Sequence, residues 1–190
     1  LMERMISRED FLSSCLHIKG GSVVEINAFR IRLLELGYVA ATLAENPGEF
    51  SIRGDIIDVF PLTLECPVRI ELWGDEVDSI RSFDAESQRS IENLTEVTIY
   101  PASQVILKRG KIQEAILSMT REYENQEACF LKDKKKAEKQ RLKSMVDQVR
   151  DELVNFGTSM GNESLLSYFY EDTVSFLDYF PEDTMIFLDE

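Results

Sequence analysis

The chain has 190 residues, 44% of them hydrophobic and 29% charged, with a formal net charge of −14. These values fit one medium or two small packed domains and argue against global disorder, a membrane span, or free nucleic acid as the main partner. Three distant cysteines, Cys15, Cys66 and Cys129, form neither a disulfide framework nor a metal-ligand spacing, and the single histidine, His17, sits between apolar neighbours in "CLHIK" and reads as a strand residue rather than a catalytic base. With no secretory layout at the N-terminus, a reduced cytoplasmic location is expected.

Taken in chain order, residues 1–16 suggest a helix through Met2, Met5 and Ile6, and "CLHIKGG" reads as a short strand stopped by Gly20 and Gly21. Ile26, Phe29, Leu33 and Leu36 recur at spacings of three and four, a helix stripe that Gly37 ends. The period then falls to two. Phe50 and Ile52 alternate with Ser51 and Arg53; beyond Gly54-Asp55 the apolar parity flips to Ile57 and Val59, so a hairpin or bulge is expected there. Arg53-Gly54-Asp55 thus reads as a turn rather than as an adhesion signal. "VRIELW" alternates again, with Val68, Ile70 and Leu72 on one face and Arg69, Glu71 and Trp73 on the other. "GDE" makes a turn. The facing of "VDSIRSF" is ambiguous, because Val77 and Ile80 have opposite parity, and "VTIYP" is a further strand. After Pro101 two helix stripes are expected, Ile112-Ile116-Met119-Tyr123 and Leu142-Met145-Val149-Leu153, with the lysine-rich run 132–143 between them as a solvated face. The chain closes on an apolar strand ending in Asp189-Glu190.

Charge is unevenly spread. Between Lys108 and Lys143 there are eleven Lys/Arg against six Asp/Glu, and every basic residue from Gly20 to Leu107 is an arginine. Arginine presents a planar fork of donors to carboxylates, where lysine is a solvated point charge. If the Val68-Ile70-Leu72 face is core, Arg53, Arg69, Glu71 and Trp73 face water, and tryptophan and arginine are enriched in binding hot spots. The alternative is that Trp73 folds over the sheet edge and both arginines pair with local acids such as Asp75. The strand ending in Asp189-Glu190 has the form of a magnesium-holding acid, but no phosphate-cradling G-x-x-x-x-G-K-[ST] loop accompanies it, so no ATP hydrolysis by this chain is expected. The acid pairs Glu171-Asp172 and Glu182-Asp183 sit in apparent loops, and no catalytic role is assigned to them.

Three stretches, "GEFSIRGDIIDVFPL", "PVRIELWGDEVDSIRSFDAESQRSIENLTEVTIYPA" and "FLDYFPEDTMIFLDE", resemble the N-terminal, UvrB-homologous module of the bacterial transcription-repair coupling factor family, Mfd, with UvrB itself as runner-up. The resemblance implies an α+β fold: a small, mainly antiparallel sheet domain with a flanking helix (residues 15–100), like domain 2 of UvrB, inserted in part of a degenerate RecA-like α/β lobe (1–14 and 101–190). It implies a non-catalytic fragment without a cofactor or metal. Its partner would be UvrA, the damage-recognition protein of nucleotide excision repair. Other domains of the full-length chain would mask the binding face, and RNA polymerase and DNA would be engaged only through the rest of the protein. Matched motif by motif, the implied UvrA-binding residues are Arg53, Arg69, Glu71 and Trp73, the last standing where the family usually has phenylalanine.

Overall fold

The computed structural model describes residues 4–103, 106, 109–132, 136–156, 165–181, 183–185 and 187. The chain is α+β and forms two compact units, one of Glu9–Ile106 and one of Leu1–Arg8 with Leu107–Glu190. Among the described residues no helix is long and apolar enough to cross a membrane.

The first unit opens with helix α1 (Arg8–Ser14) and strand β2 (Leu16–Lys19), which follow a short strand β1 (Arg4–Ile6). The helix suggested by Met2, Met5 and Ile6 is therefore absent from residues 4–6. There β1 pairs antiparallel with β10 (Thr173–Ser175), burying Ile6, and Tyr179 donates a 2.7 Å hydrogen bond to the Ile6 carbonyl. A long-range ladder overrides a short-range apolar spacing. The sequence boundary lay at 14/15, but the compact sheet unit already takes in residues 9–14. Phe11 stacks on Tyr100 with ring centroids 6.4 Å apart, and Ser14 and Cys15 are buried.

Helix α2 (Ile26–Glu35) follows the expected stripe. It buries Phe29 and Leu33, and Leu36 at its C-cap is fully covered. Each such side chain contributes about 1.5–3 kcal/mol by leaving water. Gly37 ends the helix at φ +87°, the left-handed region that a side chain rarely adopts.

Six strands then form one sheet in the order β3 (Val39–Ala40), β4 (Glu49–Arg53), β5 (Ile56–Val59), β6 (Val68–Trp73), β7 (Glu76–Phe83) and β8 (Ser90–Leu94). Only β3 and β4 run parallel; every other neighbour is antiparallel. β9 (Glu96–Ile99) pairs separately with β2. The parity flip in the sequence is a two-residue hairpin: Arg53 pairs with Ile56 and Phe50 with Val59, so both strands turn the same face inward. Gly54 has φ +60° at the first loop position, as a type II′ turn requires. The β6–β7 hairpin repeats this design, with Trp73 opposite Glu76 and Gly74 at φ +65°.

The ambiguous facing of "VDSIRSF" is a β-bulge. Ile70 pairs with Ile80 and Glu71 with Ser79, but Leu72 pairs with Val77, so Asp78 is the extra residue. The insertion lets Val77 and Ile80 both point into the core despite their opposite parity, and both are buried. Together with Phe50, Ile57, Val59, Val68 and Leu72 they make the apolar face of the sheet.

In the second unit, helices α3 (Ile112–Lys132) and α4 (Lys136–Phe156) pack together, with a short helix α5 (Leu166–Phe169) against α3. Met119 and Tyr123 of α3 and Leu142, Met145 and Val149 of α4, members of the two expected stripes, line a common cavity of about 320 Å³. In the lysine-rich segment Lys139 pairs with Glu127 at 2.5 Å, while Lys136, Arg141 and Lys143 are exposed. Most of the expected closing strand, including Asp189 and Glu190, lies outside the described residues, as do residues 133–135 and Glu182.

Two of the left-handed glycines, Gly37 and Gly54, set up a comparison. A Cβ on Gly37 would lie 2.5 Å from the Ser103 Cβ, whereas one on Gly54 would meet nothing within 4 Å. Gly54→Ala should cost about 1 kcal/mol of backbone strain, and Gly37→Ala about 2–3 kcal/mol because a steric clash adds to it. Urea unfolding of the two variants beside the parent checks the order.

Candidate docking site

Asp58 lies between Ile57 and Val59 in β5, so alternation turns it to the face opposite the core. Register sets it beside Ser51 of β4 and Arg69 of β6. The carboxylate is 1% exposed and is fully engaged by arginine. Arg69 donates from Nε at 2.7 Å and from Nη2 at 2.9 Å, and Arg53 donates from Nη2 at 2.7 Å. Removing a carboxylate from water costs several kcal/mol, and only a close, multiply bonded cation offsets it.

The same face continues across the sheet. Arg69 lies directly opposite Arg81 of β7, and Glu71 opposite Ser79. Arg81 pairs with Glu71, which also accepts from Ser79 Oγ at 3.0 Å. The Arg69 guanidinium stacks 4.5 Å above the Phe83 ring and gives a further bond to Gln88 Oε1 at 3.1 Å. Gln88 reaches it from a left-handed backbone at φ 59°. Two like charges set opposite one another are thus each matched by a carboxylate of their own, Asp58 for Arg69 and Glu71 for Arg81. Hydrogen bonding to Asp58 raises the Arg69 pKa above its ordinary value against the opposing effect of burial. Burial pushes the Glu71 carboxyl up, but hydrogen bonds from Arg81 and Ser79 and the nearby arginine charges outweigh it and hold the group below the usual carboxylate range.

The four residues singled out in the sequence share this face but differ in access. Trp73 is 84% exposed and stands clear of the sheet instead of folding over its edge. The Arg53 side chain is 46% exposed and gives one nitrogen to Asp58. Glu71 is partly covered by Arg81. Arg69 departs from the expectation of exposure: its side chain is 15% exposed, clamped between Asp58, Phe83 and Gln88. The local acid that both arginines use is Asp58 and not Asp75. Sequence reasoning missed Asp58 and Arg81. The signal for Asp58 was one acid at an alternating position in an apolar strand; Arg81 was hidden because the bulge at Asp78 obscured its facing.

The face carries Arg53, Arg69, Glu71 and Arg81, with Trp73 at its end. It offers a fixed row of guanidinium donors, partly neutralised from within, and beside them a bare indole.

The profile of the UvrB interaction domain matches residues 16–105. The chain is 41% identical over 167 residues to a transcription-repair-coupling factor of Bacillus subtilis, covering 88% of this chain and 14% of that protein. A Myxococcus xanthus protein of the same name is 37% identical over 144 residues, 76% of this chain and 11% of that protein. UvrABC system protein B of Thermosipho africanus is 33% identical over 184 residues, covering 88% of this chain and 28% of that protein. The chain therefore spans only a minor part of the length of these curated relatives.

The charge ladder is asymmetric in its energetics. Asp58→Asn strands a buried arginine and should cost about 3–5 kcal/mol, whereas Arg53→Ala removes a half-exposed partner and should cost less than about 1 kcal/mol. Denaturant titration of each variant measures the difference. Glu71 adds an acid limb. Its lowered folded-state pKa means that its stabilisation is present above the ordinary glutamate range and is lost as pH falls through the lowered value, so Glu71→Gln should flatten the acid arm of a stability–pH profile.

Proposed function

Residues 16–105 make this chain a member of the UvrB interaction domain family, and from that premise we propose that the sheet unit is a protein-docking module that recruits UvrA. The observation that carries the proposal is the coincidence of the family match with one face holding Arg53, Arg69, Glu71 and Trp73, its tryptophan 84% exposed. In this reading Trp73 is the apolar anchor. Arg53 supplies charge-assisted bonds to acids of the partner, and Arg69 and Glu71 hold the donor row in place. The similarity to transcription-repair-coupling factors supports recruitment of UvrA to stalled transcription complexes in nucleotide excision repair. The similarity to UvrABC system protein B supports, as the second reading, the equivalent docking segment of that protein. In either case the module binds and does not catalyse. The other unit, Leu1–Arg8 with Leu107–Glu190, is proposed to be part of a degenerate RecA-like lobe.

Calorimetric titration of the chain with UvrA should give saturable binding. Arg53→Glu should abolish it, and Trp73→Ala should weaken it by about 1–3 kcal/mol, both with unchanged circular dichroism. Folded protein that does not bind, or binding indifferent to Arg53→Glu, would sink the proposal.

A further inference from the structure

Alongside the first residues of β7, on the edge away from β6, the chain lays down one more short stretch of ladder. Gly21 N donates to Val77 O at 2.9 Å, Val77 N to Ser22 O at 2.8 Å, and Val24 N to Asp75 O at 2.7 Å. Val23 consequently forms an isolated antiparallel bridge with Glu76, which is itself the cross-strand partner of Trp73. Directly paired residues of an antiparallel ladder project to the same side. The neighbours confirm the side: Val24, Val77 and Leu72 are buried, while Val23 is 80% and Trp73 84% exposed and Glu76 is exposed. The result is a three-residue row, Val23-Glu76-Trp73, at the end of the arginine-bearing face. Among the described residues the Glu76 side chain makes no hydrogen bond or ion pair.

The row has a defined chemistry. Covering Val23 and Trp73 with a purely apolar group would bury the Glu76 carboxylate between them unpaired, which is costly. A basic side chain meets all three demands. Its charged head pairs with Glu76 and lies over the indole face, and its aliphatic stem covers Val23. We infer that Val23, Glu76 and Trp73 form a receptor for an arginine or lysine side chain projected by the docking partner. The place of this row in an interface rests on the docking function proposed above; its preference for a cation rests on its own geometry. The two ends of the face are then complementary to opposite charges, Arg53 to an acid of the partner and Glu76 to a base, which fixes the orientation in which the partner lands.

Trp73 is the only tryptophan in the chain, so its emission reports on this row alone. A short oligoarginine peptide should change that emission saturably, and an oligoglutamate peptide of the same length should not. Glu76→Gln should weaken the response at least about fivefold. Glu114→Gln, an exposed α3 change that alters net charge equally, should leave it intact. An emission insensitive to oligoarginine, or an equal loss in both variants, overturns the inference. In the UvrA titration Glu76→Gln should weaken binding about tenfold with circular dichroism unchanged. Binding lost on Arg53→Glu but indifferent to Glu76→Gln removes the row from the interface and leaves the docking function standing. No binding by the parent chain removes the docking function, while the peptide titration still decides the chemistry of the row.

Discussion

The solvent face of the sheet depends on one buried carboxylate. Asp58 sits where three strands meet and accepts three N–H donors from two arginines. Those bonds fix the side chains of β4, β5 and β6 relative to one another. They also tie the ladder register to charge as well as to hydrophobicity. A slip of one residue would turn Asp58 into the apolar face and Ile57 or Val59 out of it, so both faces disfavour the wrong pairing. Because Asp58 holds Arg69 flat, the guanidinium can cover Phe83, and an aromatic ring on the polar side of the sheet is kept from water.

The hairpins convert that fixed face into an accessible one. Both are two-residue turns with a left-handed glycine followed by aspartate, Gly54-Asp55 and Gly74-Asp75, and they end on Arg53 and Trp73 respectively. The Leu72 N–H is bonded to the Asp55 carbonyl at 2.9 Å, so the first turn steadies the strand that carries Trp73. The bulge at Asp78 restores the inward facing of Val77 after the register shift, which keeps Leu72 and Val77 beneath the tip while Trp73 and Glu76 stand above it. A large aromatic ring at a mobile loop tip would lose more conformational freedom on binding than one on a strand braced from below.

Much of this was legible from spacing. The α2 stripe, the strand at "CLHIKGG" and the hairpin at Gly54-Asp55 follow from periodicity and glycine chemistry within a few residues. What sequence could not supply was pairing. Residues 4–6 carry an apolar spacing compatible with a helix, and the partner strand that makes them β lies at Thr173–Ser175. Arg69 alternates outward as expected, yet it is covered, because alternation says which way a residue points and nothing about what stands over it. Asp58, Phe83 and Gln88 enclose it, from positions whose relation to Arg69 exists only in the folded pairing. Val23 shows the same limit: its bridge to Glu76 joins segments separated by α2 and four strands.

The internal pairing also explains why this face uses arginine throughout. Asp58 takes two nitrogens of Arg69 and one of Arg53, and a guanidinium carries five N–H donors. An arginine can therefore be immobilised by one carboxylate and still present hydrogen to another. A lysine in the same place would hold Asp58 as a point charge, without the planar fork that sets the direction of its remaining donors. The rotamer entropy of the row is lost on folding and need not be lost again on association. The same pairing limits the gain from charge, since a new acid shares arginines that already have one. In the docking proposed for this face, orientation and on-rate are what such a row controls best, while the apolar area that drives association has to come from the exposed ring beside it.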